Sequence, residues 1–450
     1  MDKKDGIAGL IERFANLPDA RVEGRTDHDL LDIVVLALCA VMSGAEGWDD
    51  IEDWGCEREA WLRRYLRLRN GIPGHDTIRR VFETLSPMEL ELRFEAWMGE
   101  LCPAVKGRVI AIDGKALRGS ARAERGLRAL HQGSAYAAEY GLTLGQRTCE
   151  EKSNEITAIG ALLPAVALEG AIVTIDAMGC QTAIATEITE GGGDYVLAVK
   201  DNQPYLAEAL RDFFSTLNAP GYCRRQLSFH ETLDKGHGRI ETRRCTAVGE
   251  LDWLDLLGLK ARWSKLASVA CIESTRDIGG KIETEKRYVI SSLPADSRRI
   301  LHAVRTHWGI ENSLHWCLDV TFGEDASPIH LRNAAQNFSF LRRLAMNLFR
   351  ADKSRYRFAP AGNLMLRPWL KISRISPFIY LVRPQTRNRN ATISHTDEGG
   401  QGTSSTSALC HPRLHQEPSW GCSVLPCPCR SPLHLRPSPR DSHPTGHLFG

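Results

Sequence analysis

Two acidic residues in this sequence each follow directly after a run of apolar residues. Asp113 comes after 109–112, and Asp176 comes after 171–175. Runs of this length, rich in Ile and Val, predict buried strands, and we expect the first strand to end at its acid, with Gly114 turning the chain. Neighbouring strands of one parallel sheet would bring both carboxylates to its carboxyl edge, where open α/β sheets bind ligands. Two adjacent carboxylates repel unless a cation lies between them, so the pattern predicts a divalent-metal site.

A third acid is supplied by a helix predicted over 297–318. Glu311 shares one helical face with apolar residues such as Trp308 and Leu314. A carboxylate partly buried among such neighbours is costly unless it is paired or bound to a metal. Three oxygen ligands favour Mg²⁺ or Mn²⁺ over zinc. The alternative is a surface glutamate with no role in a site.

Two histidines on the same helix support a second interpretation. His307, Glu311 and His315 are spaced four residues apart and could together bind zinc or iron. The pattern of zinc proteases has two histidines four apart with a glutamate next to the first, and the sequence lacks it. We therefore prefer the site with three carboxylates.

The elements that must position these residues fall into three regions of the chain. Residues 6–101 show helical patterns with capping signals. The predicted helices are 30–42, 57–68, 75–82 and 87–101. The two helices around the turn at 71–74 are compatible with a helix-turn-helix that touches DNA, and equally with a plain helical bundle.

The second region, 105–295, is dominated by strand patterns and turns. We predict strands at 109–112, 135–144, 156–163, 171–175 and 195–200, and a helix at 181–190. Strands that alternate with a helix predict an α/β core. Residues 223–293 contain further strand candidates, at 239–245, 267–274 and 281–292, and no clear helix, so we interpret them as a β-rich insertion in that core.

The third region begins near residue 353 and has a different composition. It is rich in Pro, Ser and Arg with little periodicity, which predicts a disordered tail. It contains 13 Lys and Arg against 4 Asp and Glu, so the net charge of +2 for the chain leaves the body acidic. Any nucleic-acid surface on the body must therefore be a local patch.

Composition also indicates where the protein resides. The thirteen cysteines are irregularly spaced, which favours free thiols in a reducing compartment. The N-terminus is polar, and the longest apolar run, 33–42, is too short to cross a membrane. We therefore expect a cytoplasmic protein without a membrane partner.

Several longer motifs give the sequence a family resemblance. They are 109–115 (VIAIDGK), 151–156 (EKSNEI), 172–181 (IVTIDAMGCQ), 193–203 (GDYVLAVKDNQ), 237–243 (HGRIETR), 307–316 (HWGIENSLHW) and 318–320 (LDV). Taken in this order, they resemble the DDE transposases of bacterial insertion sequences, in the ISAs group that includes the H-repeat-associated proteins. The resemblance covers about residues 8–350.

This resemblance implies a fold and a set of catalytic residues. It implies an α/β protein whose core is RNase H-like, with the β-rich insertion at about 223–293. The implied domains are a helical transposase-associated domain at 6–101 and a catalytic domain at 102–352, followed by the tail at 353–450. Asp113, Asp176 and Glu311 match the acidic triad and would hold two Mg²⁺ or Mn²⁺ ions, with Asp113 bridging them.

The resemblance also implies a partner and an activity. Double-stranded DNA would be bound at the terminal inverted repeats of the element and at the target, by a homodimer in the bacterial cytoplasm. The candidate phosphate contacts are Lys115, Lys152, Lys200, Lys235, Arg239, Arg305 and His307. A transposase that cleaves and joins DNA is the first hypothesis. The alternatives are an inactive DNA-binding relic and a nuclease without strand transfer.

Overall fold

The computed structural model describes residues 7–22, 24–102, 106–149, 155–217, 227–236 and 238–351. All of them belong to one compact unit. The helices are α1 (Ile7–Phe14), α2 (Leu30–Met42), α3 (Trp48–Leu62), α4 (His75–Thr84), α5 (Pro87–Leu101), α6 (Glu155–Leu162), α7 (Thr182–Glu190), α8 (Pro204–Thr216), α9 (Asp252–Leu256), α10 (Ser297–His307) and α11 (Arg332–Ala351). None of the helices in this part of the chain is both long and apolar enough to span a bilayer.

The strands form one large mixed sheet. They are β1 (Val109–Leu117), β2 (Leu130–Ala137), β3 (Leu142–Cys149), β4 (Ile172–Ile175), β5 (Asp194–Val199), β6 (Leu227–Gly236), β7 (Arg239–Val248), β8 (Ser268–Ile278) and β9 (Lys281–Ser291). Their order is β3-β2-β1-β4-β5-β9-β8-β7-β6. β1, β4 and β5 are parallel, and the remaining neighbours are antiparallel.

The β-rich segment that follows α8 extends this sheet. β9 pairs antiparallel with β5, and for example Ala198 lies opposite Val289. β8, β7 and β6 then follow outward, each antiparallel to its neighbour, and α9 lies in the connection between β7 and β8. The sequence patterns predict β7, β8 and β9 but miss β6, in which exposed and partly buried residues alternate without a buried apolar face.

Helices cover both faces of the sheet. On one face, Val109, Ile172 and Val196 form a cluster with Ile300 and Leu301 of α10. On the other face, the neighbouring residues of the same strands join a second core with α6, α7 and α8. Because side chains alternate along a strand, each residue of β1 and β4 is assigned to one face by its position.

The N-terminal helices share their core with the last helix. α2, α4 and α5 pack against α11. Phe94 and Phe340 lie edge to face with their centroids 5.5 Å apart, and Asn337 donates hydrogen bonds of 2.9 Å to the carbonyls of Phe82 and Leu85. The domain boundary near residue 102 therefore stays a prediction, since the two sides of it are joined by one apolar core.

Several elements differ from the sequence predictions. The strand predicted at 156–163 is wrong, because these residues form α6, and a short apolar run does not distinguish a strand from a buried helix. The strand predicted at 135–144 is wrong at its centre, where β2 turns into β3. The helix predicted at 57–68 is α3, which lies earlier. The tail predicted from residue 353 lies outside the described residues.

Candidate active site

Asp113 and Asp176 lie side by side because of the register between β1 and β4. The parallel pairing ends at Ile112 and Ile175, and the two acids are the next residues on each strand. By alternation, both share the face of Val109 and Ile172, on which α10 lies. The predicted turn at Gly114 is wrong, since β1 continues to Leu117. Its pairing with β4 ends before Asp113, whereas its pairing with β2 continues to Leu117.

The Asp113 carboxyl is largely buried, with 17% of its side chain exposed. Its Oδ1 accepts a hydrogen bond of 2.9 Å from the N–H of Gly114. Burial raises the pKa of Asp113 to about 7, against the effect of the Gly114 N–H, and the negative charges of Asp176, Glu311 and Glu155 raise it further. The structure thus brings four acids close enough for their charges to interact.

Asp176 is exposed and is held by the turn that follows β4. Its Oδ1 accepts hydrogen bonds from the backbone N–H groups of Met178 at 3.0 Å and Gly179 at 3.4 Å. A Cβ at Gly179 would lie 2.2 Å from the side chain of Ile175, so this turn has room only for glycine there. The carboxylate is therefore oriented by local backbone groups.

Two amide side chains after β5 brace the same turn, and the sequence predictions did not include them. Asn202 donates a hydrogen bond to the carbonyl of Ala177, and Gln203 donates one of 3.0 Å to the carbonyl of Cys180. The polar end of the motif at 193–203 was the available signal. Glu155, beside Asp113, was also missed, although it lies in the motif at 151–156.

Glu311 lies where the helix after α10 widens. α10 ends at His307, and the chain continues through two π-helical segments, Ile310–His315 and Cys317–Thr321. Glu311 is exposed while Leu314 is fully buried, so the predicted partial burial of this glutamate is wrong. A π-helical turn changes which residues share a face, and such turns are frequent at functional sites.

The three acids offer the oxygen donors that a hard divalent cation prefers. Burial is the main cause of the raised pKa of Asp113, and repulsion from the other acids adds to it. A bound cation relieves repulsion of this kind. Within the described part of the chain, no three His, Cys, Asp or Glu side chains are arranged closely enough to hold a metal ion. The donor set fits Mg²⁺ or Mn²⁺ in chemistry, and the side chains would have to draw together to bind it.

The two histidines of the zinc interpretation have separate surroundings. Nδ1 of His307 lies 3.0 Å from the hydroxyl of Thr174, and burial lowers the pKa of His307. His315 is buried with Nδ1 3.6 Å from Oδ2 of Asp113, and burial above all lowers its pKa to about 3. Both imidazoles are therefore neutral near pH 7. The separate partners of the two histidines give a site of His307, Glu311 and His315 no support, and a neutral His307 gives none to a phosphate contact through its charge.

Lys115 is a cation enclosed by acids. Its Nζ lies 2.5 Å from Oδ1 of Asp319, 2.8 Å from Oδ1 of Asp325 and 3.4 Å from Oε2 of Glu324, and only 9% of its side chain is exposed. Burial acts to lower the pKa of Lys115, but the three carboxylates outweigh it and raise the pKa above its usual value. These contacts do not support the predicted phosphate contact of Lys115, since its charge is neutralised inside the fold.

A groove between α10 and strands β7 to β9 runs up to Glu311. It has a volume of about 440 Å³ and is also lined by Trp308 and Asn312. Its basic residues are Arg239, Arg243, Arg276, Arg287 and Arg305. The guanidinium of Arg287 lies 4.7 Å from the ring centroid of Trp308. The acids Glu241 and Glu285 offset part of this charge.

The other predicted phosphate contacts lie around this groove or outside the described residues. Arg239 lines it, and Arg305 lines it while forming an ion pair of 2.9 Å with Asp234. Lys235 is exposed near the tip of the β6–β7 hairpin, and Lys200 is exposed directly after β5. Lys152 lies outside the described residues.

On the helix-turn-helix candidate, one of the two adjacent arginines of α4 is neutralised. Arg79 forms ion pairs with Asp76 at 3.0 Å and with Glu83 at 2.7 Å on its own helix, α4. Arg80 is exposed. α4 alone therefore offers less positive charge than the groove beside Glu311.

Two family models match the chain. The model described as "Transposase DDE domain" matches residues 105–348, and the one described as "DDE_Tnp_1-associated" matches residues 11–98. The first of these ranges contains Asp113, Asp176 and Glu311, and more than half of the chain lies within it.

Curated proteins of Escherichia coli are similar along most of their length. "Putative transposase YncI" of strain O157:H7 is 40% identical over 355 residues, which are 77% of this chain and 88% of that protein. "H repeat-associated putative transposase YhhI" of strain K12 is 40% identical over 350 residues, 76% of this chain and 91% of that protein. Among solved structures, the piggyBac transposase synaptic complex with hairpin DNA aligns with a TM-score of 0.36 and 11% identity, covering 83% of this chain and 78% of that one. That score is too low to support an argument about this protein.

Proposed function

The chain belongs to the DDE transposases, in the group of the H repeat-associated proteins, and on this premise we propose that it binds the ends of its insertion sequence and catalyses metal-dependent cleavage and strand transfer of DNA. The observation that carries the proposal is the position of Asp113, Asp176 and Glu311. Two parallel strands and a π-helical turn carry these acids on the α10 side of the sheet. The charges of Asp176 and Glu311 are close enough to raise the pKa of Asp113.

The proposed core is RNase H-like and comprises β1 to β5. The order β3-β2-β1-β4-β5, with a three-stranded antiparallel meander joined to parallel strands, supports this proposal. The strands β6 to β9 form the insertion, between the second acid and the third. They supply the arginine-lined wall of the groove beside Glu311.

In the proposed reaction, backbone N–H groups orient two of the three acids. The N–H of Gly114 orients Asp113, and the N–H groups of Met178 and Gly179 orient Asp176. Two Mg²⁺ or Mn²⁺ ions held by Asp113, Asp176 and Glu311, with Asp113 shared, would supply activation of the attacking oxygen and charge stabilisation of the leaving oxygen.

The DNA backbone is proposed to follow the groove between α10 and the extended sheet. Arg239 and Arg305 line it, and Lys235 lies at its outer end. Lys200 lies at the carboxyl end of β5, next to β4 and its acid. These cations would contact phosphates and contribute affinity and position rather than sequence reading. We further propose that a homodimer holds two element ends and acts in the cytoplasm.

The test is a pair of charge-removing variants assayed for binding and cleavage separately. We expect Asp113→Asn and Glu311→Gln to bind DNA of the element ends like the wild type and to lose Mg²⁺-dependent nicking by roughly a thousandfold, because each removes a metal ligand worth several kcal/mol in the transition state. Glu12→Gln, at an exposed position of α1, is the matched control and should cut normally.

The outcomes separate the three hypotheses. Cutting by either variant at the wild-type rate would refute the assignment of the acids. A wild type that binds the ends but never nicks them would favour the inactive relic. A wild type that cuts branched DNA without joining a 3′ end to a target would favour the nuclease.

A further inference from the structure

We propose that Lys115 is a positioning residue for the catalytic acids, because its ammonium group joins the strand that carries Asp113 to the chain segment that follows Glu311. The inference rests on the proposed function, since it concerns the relative position of two of the proposed metal ligands. It assigns to Lys115 a role in the geometry of the site instead of a contact with DNA.

The contacts of Lys115 cross between two parts of the fold. Lys115 follows Asp113 by two residues on β1, so both side chains leave the strand on the same face. The carboxylates around its Nζ all belong to the segment 319–325. One buried ammonium group therefore holds three acids that would otherwise repel each other.

Asp319 transmits this contact to Glu311. It lies in the π-helical segment Cys317–Thr321, which continues the segment Ile310–His315 that contains Glu311. Helical segments joined in this way move together. The distance of 2.5 Å between Lys115 Nζ and Asp319 Oδ1 consequently restricts the position of Glu311 relative to Asp113.

The acidic side of this contact is itself fixed to the core. Oε1 of Glu324 lies 2.9 Å from Nη1 of Arg343 on α11 and accepts a hydrogen bond of 2.7 Å from the hydroxyl of Ser339. A Cβ at Gly119 would lie 2.4 Å from the carbonyl oxygen of Ser327, so the chain after β1 also contacts the residues that directly follow this segment. Lys115 thus links β1 to the segment 319–325, which Glu324 ties to α11.

The test measures Mn²⁺ binding to the full-length protein by calorimetry, with cleavage as a second readout. Lys115→Met removes the charge and keeps the length of the side chain. By charge alone, the loss of a nearby cation would tighten Mn²⁺ binding. Loss of positioning would weaken it, and supporting groups around metal ligands are typically worth 10–100-fold in affinity. We expect the half-saturating Mn²⁺ concentration to rise about tenfold, with nicking largely restored at saturating Mn²⁺.

Two further variants separate positioning from general destabilisation. Leu206→Ala opens a cavity in α8, which packs against β9, and should bind Mn²⁺ like the wild type despite its lower stability. If Lys115→Met does not fold, Lys115→Gln decides, since its shorter, neutral side chain also removes the ion pairs that join the two parts of the fold but leaves a polar group among the acids.

The inference is overturned if the folded Lys115 variant binds Mn²⁺ as well as or better than the wild type, or if Leu206→Ala weakens binding equally. A wild type that binds no Mn²⁺ and cuts no DNA would refute the proposed function, and the inference would fall with it. Weaker binding by the Lys115 variant alone supports the inference.

Discussion

Replacing Glu324 by glutamine should remove one of the largest electrostatic contributions to the stability of this fold. The Glu324 side chain is 1% exposed, and its two oxygens face Arg343 at 2.9 Å and Lys115 at 3.4 Å. Burial, the largest single influence, raises the pKa of Glu324, but the charges of Arg343, Lys115 and Arg342 together outweigh it and lower the pKa to about 2.

The size of the effect follows from linkage between ionisation and folding. The pKa falls from 4.5 to about 2 on folding. A tenfold change in acid dissociation is worth about 1.4 kcal/mol, so ionised Glu324 contributes about 3 kcal/mol to the free energy of unfolding. Removing one partner of a buried ion pair costs a similar 3–5 kcal/mol or so. Because the folded pKa is the lower one, this contribution is present above pH about 4.5 and is lost as the pH falls towards 2.

Urea unfolding followed by circular dichroism at pH 7 and at pH 3 provides the assay. We expect Glu324→Gln to lower the free energy of unfolding by about 3 kcal/mol at pH 7, and by less than half of that at pH 3. Glu283→Gln is the matched control, because Glu283 also forms an ion pair, with Lys281 at 2.6 Å, but is exposed. It should leave the midpoint unchanged. A loss below about 1 kcal/mol at pH 7, or an equal loss at both pH values, would refute the reasoning.

Three further outcomes are expected. Gly119→Ala should lower the free energy of unfolding by about 1–3 kcal/mol, because its Cβ would meet the carbonyl oxygen of Ser327, whereas Gly99→Ala in α5 faces open space and should not; equal urea midpoints would contradict this. Arg276→Ala in the groove should reduce the slope of log affinity for DNA against log salt by about 1, while Arg211→Ala on α8, across the sheet, should leave it unchanged. EDTA should stop nicking without releasing the element ends, and excess Mn²⁺ should restore it; nicking that persists in EDTA would exclude the proposed chemistry.

Much of the site could be predicted because two apolar runs that each end in an acid form parallel strands, and parallel strands end at the same edge of a sheet. The apolar runs before Asp113 and Asp176 predict strands, and parallel strands must bring their carboxyl ends to one edge. Both runs are strands, and their register makes the two acids neighbours. The helix with Glu311 was also predicted, but the exposure of Glu311 was not, because the spacing of apolar residues assumes a regular α-helix and the chain widens into a π-helix here.

The role of Lys115 could not be predicted from its neighbours in sequence. A lysine two residues after a candidate metal ligand suggests a phosphate contact. Its actual partners lie more than 200 residues away in the sequence, and no residue near Lys115 indicates them. Arg343 likewise belongs to a residue type that is mostly exposed in proteins, yet it is fully buried against Glu324. Pairing between buried charges is a property of the assembled fold.

The contact between α2 and α11 has a consequence for folding during synthesis on the ribosome. α2 is buried along nearly its whole length, and part of its cover is supplied by a helix that starts at Arg332. Similarly, β5 cannot gain its outer neighbour until β9 has been made, some ninety residues later. A nascent chain must therefore carry uncovered apolar surface through most of its synthesis, which favours aggregation if translation stops early.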